Sequence, residues 1–136
     1  MLGIWSSPSG KFLFRSAHRT LFNHFSPSFR GKTVTDFLEW LTPSSLTSLK
    51  PYTSTLSVLL NEEGGIIDDT IITKHASDAF YVVTNAGRRE RDLSWFRGKL
   101  DEWNSTVRGT QGPVELEVLD NWGLLAIQGK SSPLCC

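Results

Sequence analysis

Two runs of strand-forming residues on either side of a glycine turn constrain this chain more than any other feature. Leu56, Val58 and Leu60 alternate along the first run, and Ile66, Ile67, Thr70, Ile71, Ile72 and Thr73 make a β-branched second run. Between them, Asn61-Glu62-Glu63-Gly64-Gly65 supplies the residues a hairpin turn needs. The antiparallel hairpin carries an anomaly, because Asp68 and Asp69 sit between two pairs of isoleucines. A carboxylate taken out of water without a partner shifts its pKa or costs several kcal/mol, so this pair requires a reason.

Side chains alternate across a strand, which predicts Asp68 on the side of Ile66, Thr70 and Ile72 and Asp69 on the side of Ile67, Ile71 and Thr73. The two are therefore expected not to share a pocket, which excludes a proton-sharing dyad made of this pair. Either one of them acts, or one is solvated while the other accepts hydrogen bonds from turn amides, and residue types leave both readings open. An aspartic-protease loop fails because Ile71 stands where a glycine is needed. A calcium loop fails for want of alternating oxygen ligands and a late glutamate.

Around the hairpin the periodicity is regular. Val34, Phe37, Leu38 and Leu41 form one face of a helix that Pro43 stops, with Thr33 as its expected cap. After Ala76-Ser77-Asp78, the run Phe80 to Thr84 makes a third strand and completes a meander. A longer helix follows, with Asn85 as its expected cap and Leu93, Phe96, Leu100 and Trp103 as its core stripe. Arg97, Lys99, Asp101 and Glu102 are expected on its other sides. Arg88, Arg89 and Arg91 crowd its first turn, where cations oppose the helix dipole; a solvated face paired with Glu90 and Asp92 explains them better than an anion site. Val114, Leu116 and Val118 then alternate with Glu115 and Glu117, and Leu124 to Ile127 is a continuous apolar run expected to be a central strand. The order α-β-β-β-α-β-β predicts an α+β fold, an antiparallel sheet with two covering helices.

At 136 residues this is one domain's worth of chain, and its formal charge of zero gives no global field for nucleic acid or an anionic membrane. No apolar run approaches the length of about 20 residues that a membrane span needs. Cys135 and Cys136 are the only cysteines, and His18, His24 and His75 have no ligand spacing, so no metal is expected. Gly123 to Ser131 misses phosphate-loop spacing by one residue, and Asn104-Ser105-Thr106 is a glycosylation sequon in form only. No acidic residue precedes Asp36, whereas Lys11, Arg15, Arg19, Arg30 and Lys32 are basic. With Phe14, Ala17, Leu21 and Phe25 at helical spacing, residues 1–30 have the composition of a mitochondrial transit peptide; a poorly ordered basic tail and sequence not native to the protein are the other readings.

Residues 37–128 resemble the aminomethyltransferase family, the T-protein of the glycine cleavage system, in its folate-binding region. The resemblance is carried by Phe37-Leu38, by the long word from Leu56 to Ile72, by Tyr81-Val82-Val83-Thr84-Asn85-Ala86, by Arg91-Asp92-Leu93, by Leu116 to Asp120 and by Leu125 to Gly129. It implies a transferase that passes the methylene of a lipoyl-bound aminomethyl group to tetrahydrofolate and releases ammonia. The lipoyl-carrying H-protein would be the partner, and the mitochondrial matrix the compartment. It further implies that Asp68 faces the folate as the catalytic acid near N5, that Asn85 lies beside the pterin and that Leu56 stands in the pocket wall. Such a carboxylate can accept the N5 proton or stabilise an iminium-like cation.

The departures divide the chain into a basic segment, 1–30, a partial folate-binding domain, 31–129, and an unrelated tail, 130–136. The family continues beyond Gly129 with the second half of the folate domain and a C-terminal barrel, so a truncated product too short for independent activity is expected. Two other readings stay open: a non-catalytic folate-binding or interaction module, and a folate-dependent iron-sulfur assembly factor of the same superfamily. The second would be expected to carry a cysteine word, and none precedes Cys135.

Overall fold

A computed structural model describes residues 3–7, 20–22, 27–106, 111–119 and 123–127, the segments 3–7, 20–22 and 123–127 through their backbone pairing. The elements run β1 (Gly3–Ser7), β2 (Thr20–Phe22), β3 (Pro27–Arg30), α1 (Val34–Leu41), β4 (Ser54–Leu60), β5 (Ile66–Ala76), β6 (Ala79–Val83), α2 (Arg89–Ser105), β7 (Glu115–Val118) and β8 (Gly123–Ile127). The fold is α+β as expected. Its principal sheet has five antiparallel strands in the order β4-β5-β6-β3-β7, of which β4, β5 and β6 are the expected meander.

Two strand placements differ from the sequence reading. Pro27–Arg30 falls inside the basic segment 1–30, yet as β3 it lies between β6 and β7, with Phe29 wholly buried opposite Phe80 and Leu116. Four residues that begin with proline and end on an exposed arginine give too short a pattern for periodicity to register. The apolar run in β8 is central, but in a second, three-stranded sheet between β1 and β2. Leu21, read as part of a helical face, belongs to β2; Phe14, Ala17 and Phe25 lie outside the described residues, as does the tail 130–136.

The principal core is built where the two helical stripes meet the sheet. Val34, Phe37, Leu38 and Leu41 of α1 are buried, as are Leu93, Phe96 and Trp103 of α2, while Leu100 packs against the same cluster half-buried. Phe29 is the hinge of this packing. Its ring lies 5.8 Å from Phe37 and 5.1 Å edge-on from Phe96, and Trp103 meets Phe37 edge-on at 5.7 Å. Such tilted and edge-to-face pairs add to the burial of large rings.

Thr33 stands at the start of α1 as expected but spends its side chain elsewhere, whereas the start of α2 falls at Arg88 and not at the expected Asn85. The Thr33 hydroxyl donates to the Gly112 carbonyl at 2.7 Å and accepts the Trp103 indole N–H at 3.2 Å, so it ties α2 to α1 rather than capping α1. The Asn104 side chain both donates to Val114 O and accepts from Val114 N, each at 3.0 Å, which docks the chain entering β7 onto α2. At the close approach of these segments Gly31 has a φ of +145°, and a Cβ there would lie 2.4 Å from the Pro113 carbonyl oxygen.

Lys99, expected on an exposed side of α2, is instead buried. It bridges Glu62 at 2.7 Å and Glu102 at 2.8 Å, and its ammonium stands over the Trp40 and Trp95 rings. Two carboxylates and two π faces substitute for water around the charge, which also ties the β4–β5 turn to α2.

Candidate functional site

The hairpin turn is closed by one side chain. Asn61 accepts the Glu63 and Gly65 amides on Oδ1 at 3.1 and 2.6 Å, its own amide donates to Gly65 O, and Gly64 takes a φ of +81° that glycine adopts without strain. Strand β5 leaves this turn with an irregularity: Leu59 pairs with Asp68 but Leu60 pairs with Ile66, so Ile67 is an extra residue. A bulge reverses side-chain parity. The expected grouping of Ile66 with Asp68 and of Ile67 with Asp69 is therefore corrected: Ile66 is 69% exposed, whereas Ile67 is buried in the core.

Beyond the bulge the alternation holds. Asp68, Thr70 and Ile72 are buried, and Asp69 is exposed. Cross-strand partners share a face, so Asp69 lies with its partner Val58 and, two residues along, with Leu56 and Ile71. The expected pocket-wall residue Leu56, 72% exposed, thus shares its face with Asp69 and not with Asp68.

Asn85 joins the two faces. It follows β6 at the 3-10 turn Ala86–Arg88 and makes no side-chain cap; its amide nitrogen instead donates to Asp68 Oδ1 at 2.9 Å and to Asp69 Oδ1 at 2.7 Å. Its backbone N–H points to Asp68 Oδ2 at 3.4 Å, and the Asp69 N–H reaches Asp68 Oδ1 at 3.0 Å. The aspartates do not form a dyad, but one amide group uses both its hydrogens to hold them together. The sequence reading named Asn85 and Asp68 separately, and the structure brings them into contact.

A second carboxylate does reach Asp68, from α2. Asp92 was read as an exposed partner for arginines, yet it is 0% exposed. Its position four residues before Phe96 continues the buried stripe, a signal that periodicity contained and charge obscured. Burial and the apposed Asp68 carboxylate raise its pKa to about 6, against the smaller opposing influence of the Thr84 hydroxyl and Arg88. Burial works to raise Asp68 as well, but the hydrogen bonds from Asn85, Asp92 and the amides of Asn85 and Asp69 hold it below the ordinary carboxylate range. Environments that push two neighbouring acids apart in this way create a base and an acid side by side. Arg88 closes the same corner, donating to Ile67 O at 3.3 Å.

Among the described residues no group of three His, Cys, Asp or Glu side chains stands close enough to hold a metal, and no helix is long and apolar enough to cross a membrane.

An antiparallel five-stranded sheet backed by two helices, with paired aspartates leaving a glycine turn and an asparagine across both, defines an α+β domain whose fold recurs in a solved aminomethyltransferase. The chain is similar in fold to the glycine cleavage system aminomethyltransferase T of Bartonella henselae, with a TM-score of 0.71 and 29% identity, covering 87% of this chain and 31% of that one. The profile of the GCVT N-terminal domain family matches residues 23–134, and the chain belongs to this family. It is 46% identical over 100 residues to the probable mitochondrial aminomethyltransferase of Schizosaccharomyces pombe, and 44% identical over 102 residues to the mitochondrial aminomethyltransferase of Mesembryanthemum crystallinum. These alignments cover 74% and 75% of the chain but 24% of each relative, so the chain spans about a quarter of their length. The family match begins at residue 23 and takes in β3.

Proposed function

We propose that this chain carries part of the folate site of a mitochondrial aminomethyltransferase, whose reaction moves a lipoyl-bound methylene to tetrahydrofolate with release of ammonia. The observation that carries the reading is the Asp68–Asn85–Asp69 constellation, because it presents a fixed amide and a carboxylate at one end of the sheet. The role that resemblance assigns to Asp68 divides between two residues in this proposal. Asp69 offers its exposed carboxylate to the folate, while Asp68 holds Asn85 from the buried side. The exposure of Asp69 and its shared face with Leu56 support that division. A carboxylate so placed accepts a proton from a ring nitrogen or stabilises an adjacent cation as the methylene transfers.

The lipoyl-carrying H-protein is the proposed partner, and the matrix the proposed compartment, in keeping with the mitochondrial relatives. Tetrahydrofolate titrated at millimolar concentration into the full chain should move the Asn85 side-chain amide resonances, and Asp69→Asn should remove the effect. Resonances that do not move, or that move equally in Asp69→Asn, would overturn the reading. Micromolar affinity by calorimetry would instead identify a self-sufficient folate-binding module.

A further inference from the structure

Asp92 is a buried acid for which the proposed reaction has no use. Both its carboxylate oxygens are sealed from solvent, and the one uncharged donor that acts on them is the Thr84 hydroxyl. An ionised carboxylate in that state is costly, and proteins resolve the cost by pairing the group or by keeping it neutral. The groups acting on it are Asp68 from β5, Thr84 at the end of β6 and Arg88 from the turn before α2; Asp69 lies across the sheet on the opposite face. Arg88 is exposed and directs a hydrogen bond to the Ile67 carbonyl, so it does not neutralise Asp92 by direct pairing. Two groups act on Asp92 at hydrogen-bond range: the Thr84 hydroxyl, which can donate, and the Asp68 carboxylate, an acceptor whose other contacts all come from N–H donors of Asn85 and Asp69.

We propose that Asp92 is a positioning residue: in its acid form it donates a hydrogen bond to Asp68, and the single shared proton holds Asp68 against Asn85. The balance is simple. One proton sits on a carboxylic O–H of Asp92 directed at an Asp68 oxygen, and ionisation releases it to solvent with no bond broken elsewhere. With the proton present, Asp68 has a donor on the α2 side and amide donors on the other, so the Asn85 amide is fixed and can reach Asp69. Without it, two like charges are in contact, and the least costly relief is movement of Asp68 away from α2, which shifts Asn85. The hairpin, the loop after β6 and α2 are thereby coupled at one proton. The proposal rests on the folate reading only for the use made of Asn85; the proton sharing is measured without folate.

The test is carboxyl-detected NMR titration of the full chain, with Asn85 side-chain amide shifts followed in the same samples. Asp92 is expected to titrate near pH 6, to fall toward the ordinary aspartate range in Asp68→Asn, and to carry the Asn85 resonances with the same midpoint in the wild type. A merely structural Asp92 would leave Asn85 indifferent to pH. The proposal is overturned by an Asp92 midpoint below 5, by one that Asp68→Asn leaves unchanged, or by a pH-insensitive Asn85. Asp92→Asn should abolish the Asn85 transition; should that variant fail to fold, the wild type and Asp68→Asn decide the matter.

Discussion

The two sides of the β4–β5 hairpin differ in what they face. On one side Leu59 and Ile72 join Phe29, Phe37, Phe80 and Phe96 in a continuous aromatic core; on the other, Leu56 and Asp69 stand exposed. Both sides come from the same period-two pattern. The difference teaches that, among the described residues, α1 and α2 stabilise the hairpin from one face only, while the other face carries exposed polar and apolar groups. The boundary between them runs through Asp68 and Asn85, the buried and bridging members of the candidate site.

The contrast can be broken most strongly from the core side. Phe29→Ala removes a wholly buried ring that contacts α1 and α2, and should cost about 3–5 kcal/mol, which urea unfolding would register as a lowered midpoint or loss of the folded state. A loss below about 1 kcal/mol would show that the aromatic core does not set the stability of this sheet.

At the boundary, the expected change has the opposite sign. Asp92 is raised in the folded state from the ordinary aspartate value of 3.8 to about 6. The folded state therefore binds the extra proton between these values, and stability falls as pH rises through that window and stays low above it. Asp92→Asn keeps the shape and a donor without the charge, so it should stabilise the chain by about 1–3 kcal/mol at pH 8, with the gain vanishing toward pH 4. Asp68 runs the other way: its lowered pKa contributes stability that is present above the ordinary aspartate value and lost as pH falls through the folded one. Thermal unfolding across pH 4–8 reads the Asp92 contribution, which should disappear in Asp92→Asn, because the contribution of Asp68 changes only below the ordinary aspartate value of 3.8.

On the open side, Leu56→Ala should change stability by no more than about 0.5 kcal/mol, because a side chain 72% exposed has little burial to lose. A loss comparable with that at Phe29 would mean the second face is packed in solution and would remove Leu56 from the proposed ligand face.

Much of the fold is legible in the chain. The stripes Val34-Phe37-Leu38-Leu41 and Leu93-Phe96-Trp103 are buried as their spacing requires, and the meander pairs in the expected order. The resemblance words led to the family whose profile matches residues 23–134. Legibility failed where a local pattern was too short, as at Pro27–Arg30, or where charge was taken as a sign of exposure, as at Asp92 and Lys99. Both charged groups lie on helical positions that face the core; one is neutralised by carboxylates and aromatic rings, the other stands against a second acid.

By itself the sequence determined the hairpin, the α+β order and the presence of two aspartates that strand geometry must point apart. Only the tertiary structure decided which of them is buried, because one extra residue at Ile67 resets side-chain parity and no propensity counts a bulge. It also decided that Asn85 spans the pair and that Asp92 stands behind it, since hydrogen bonds and like-charge contacts depend on distances between segments 16 to 24 residues apart in the chain, and local pattern carries no record of those.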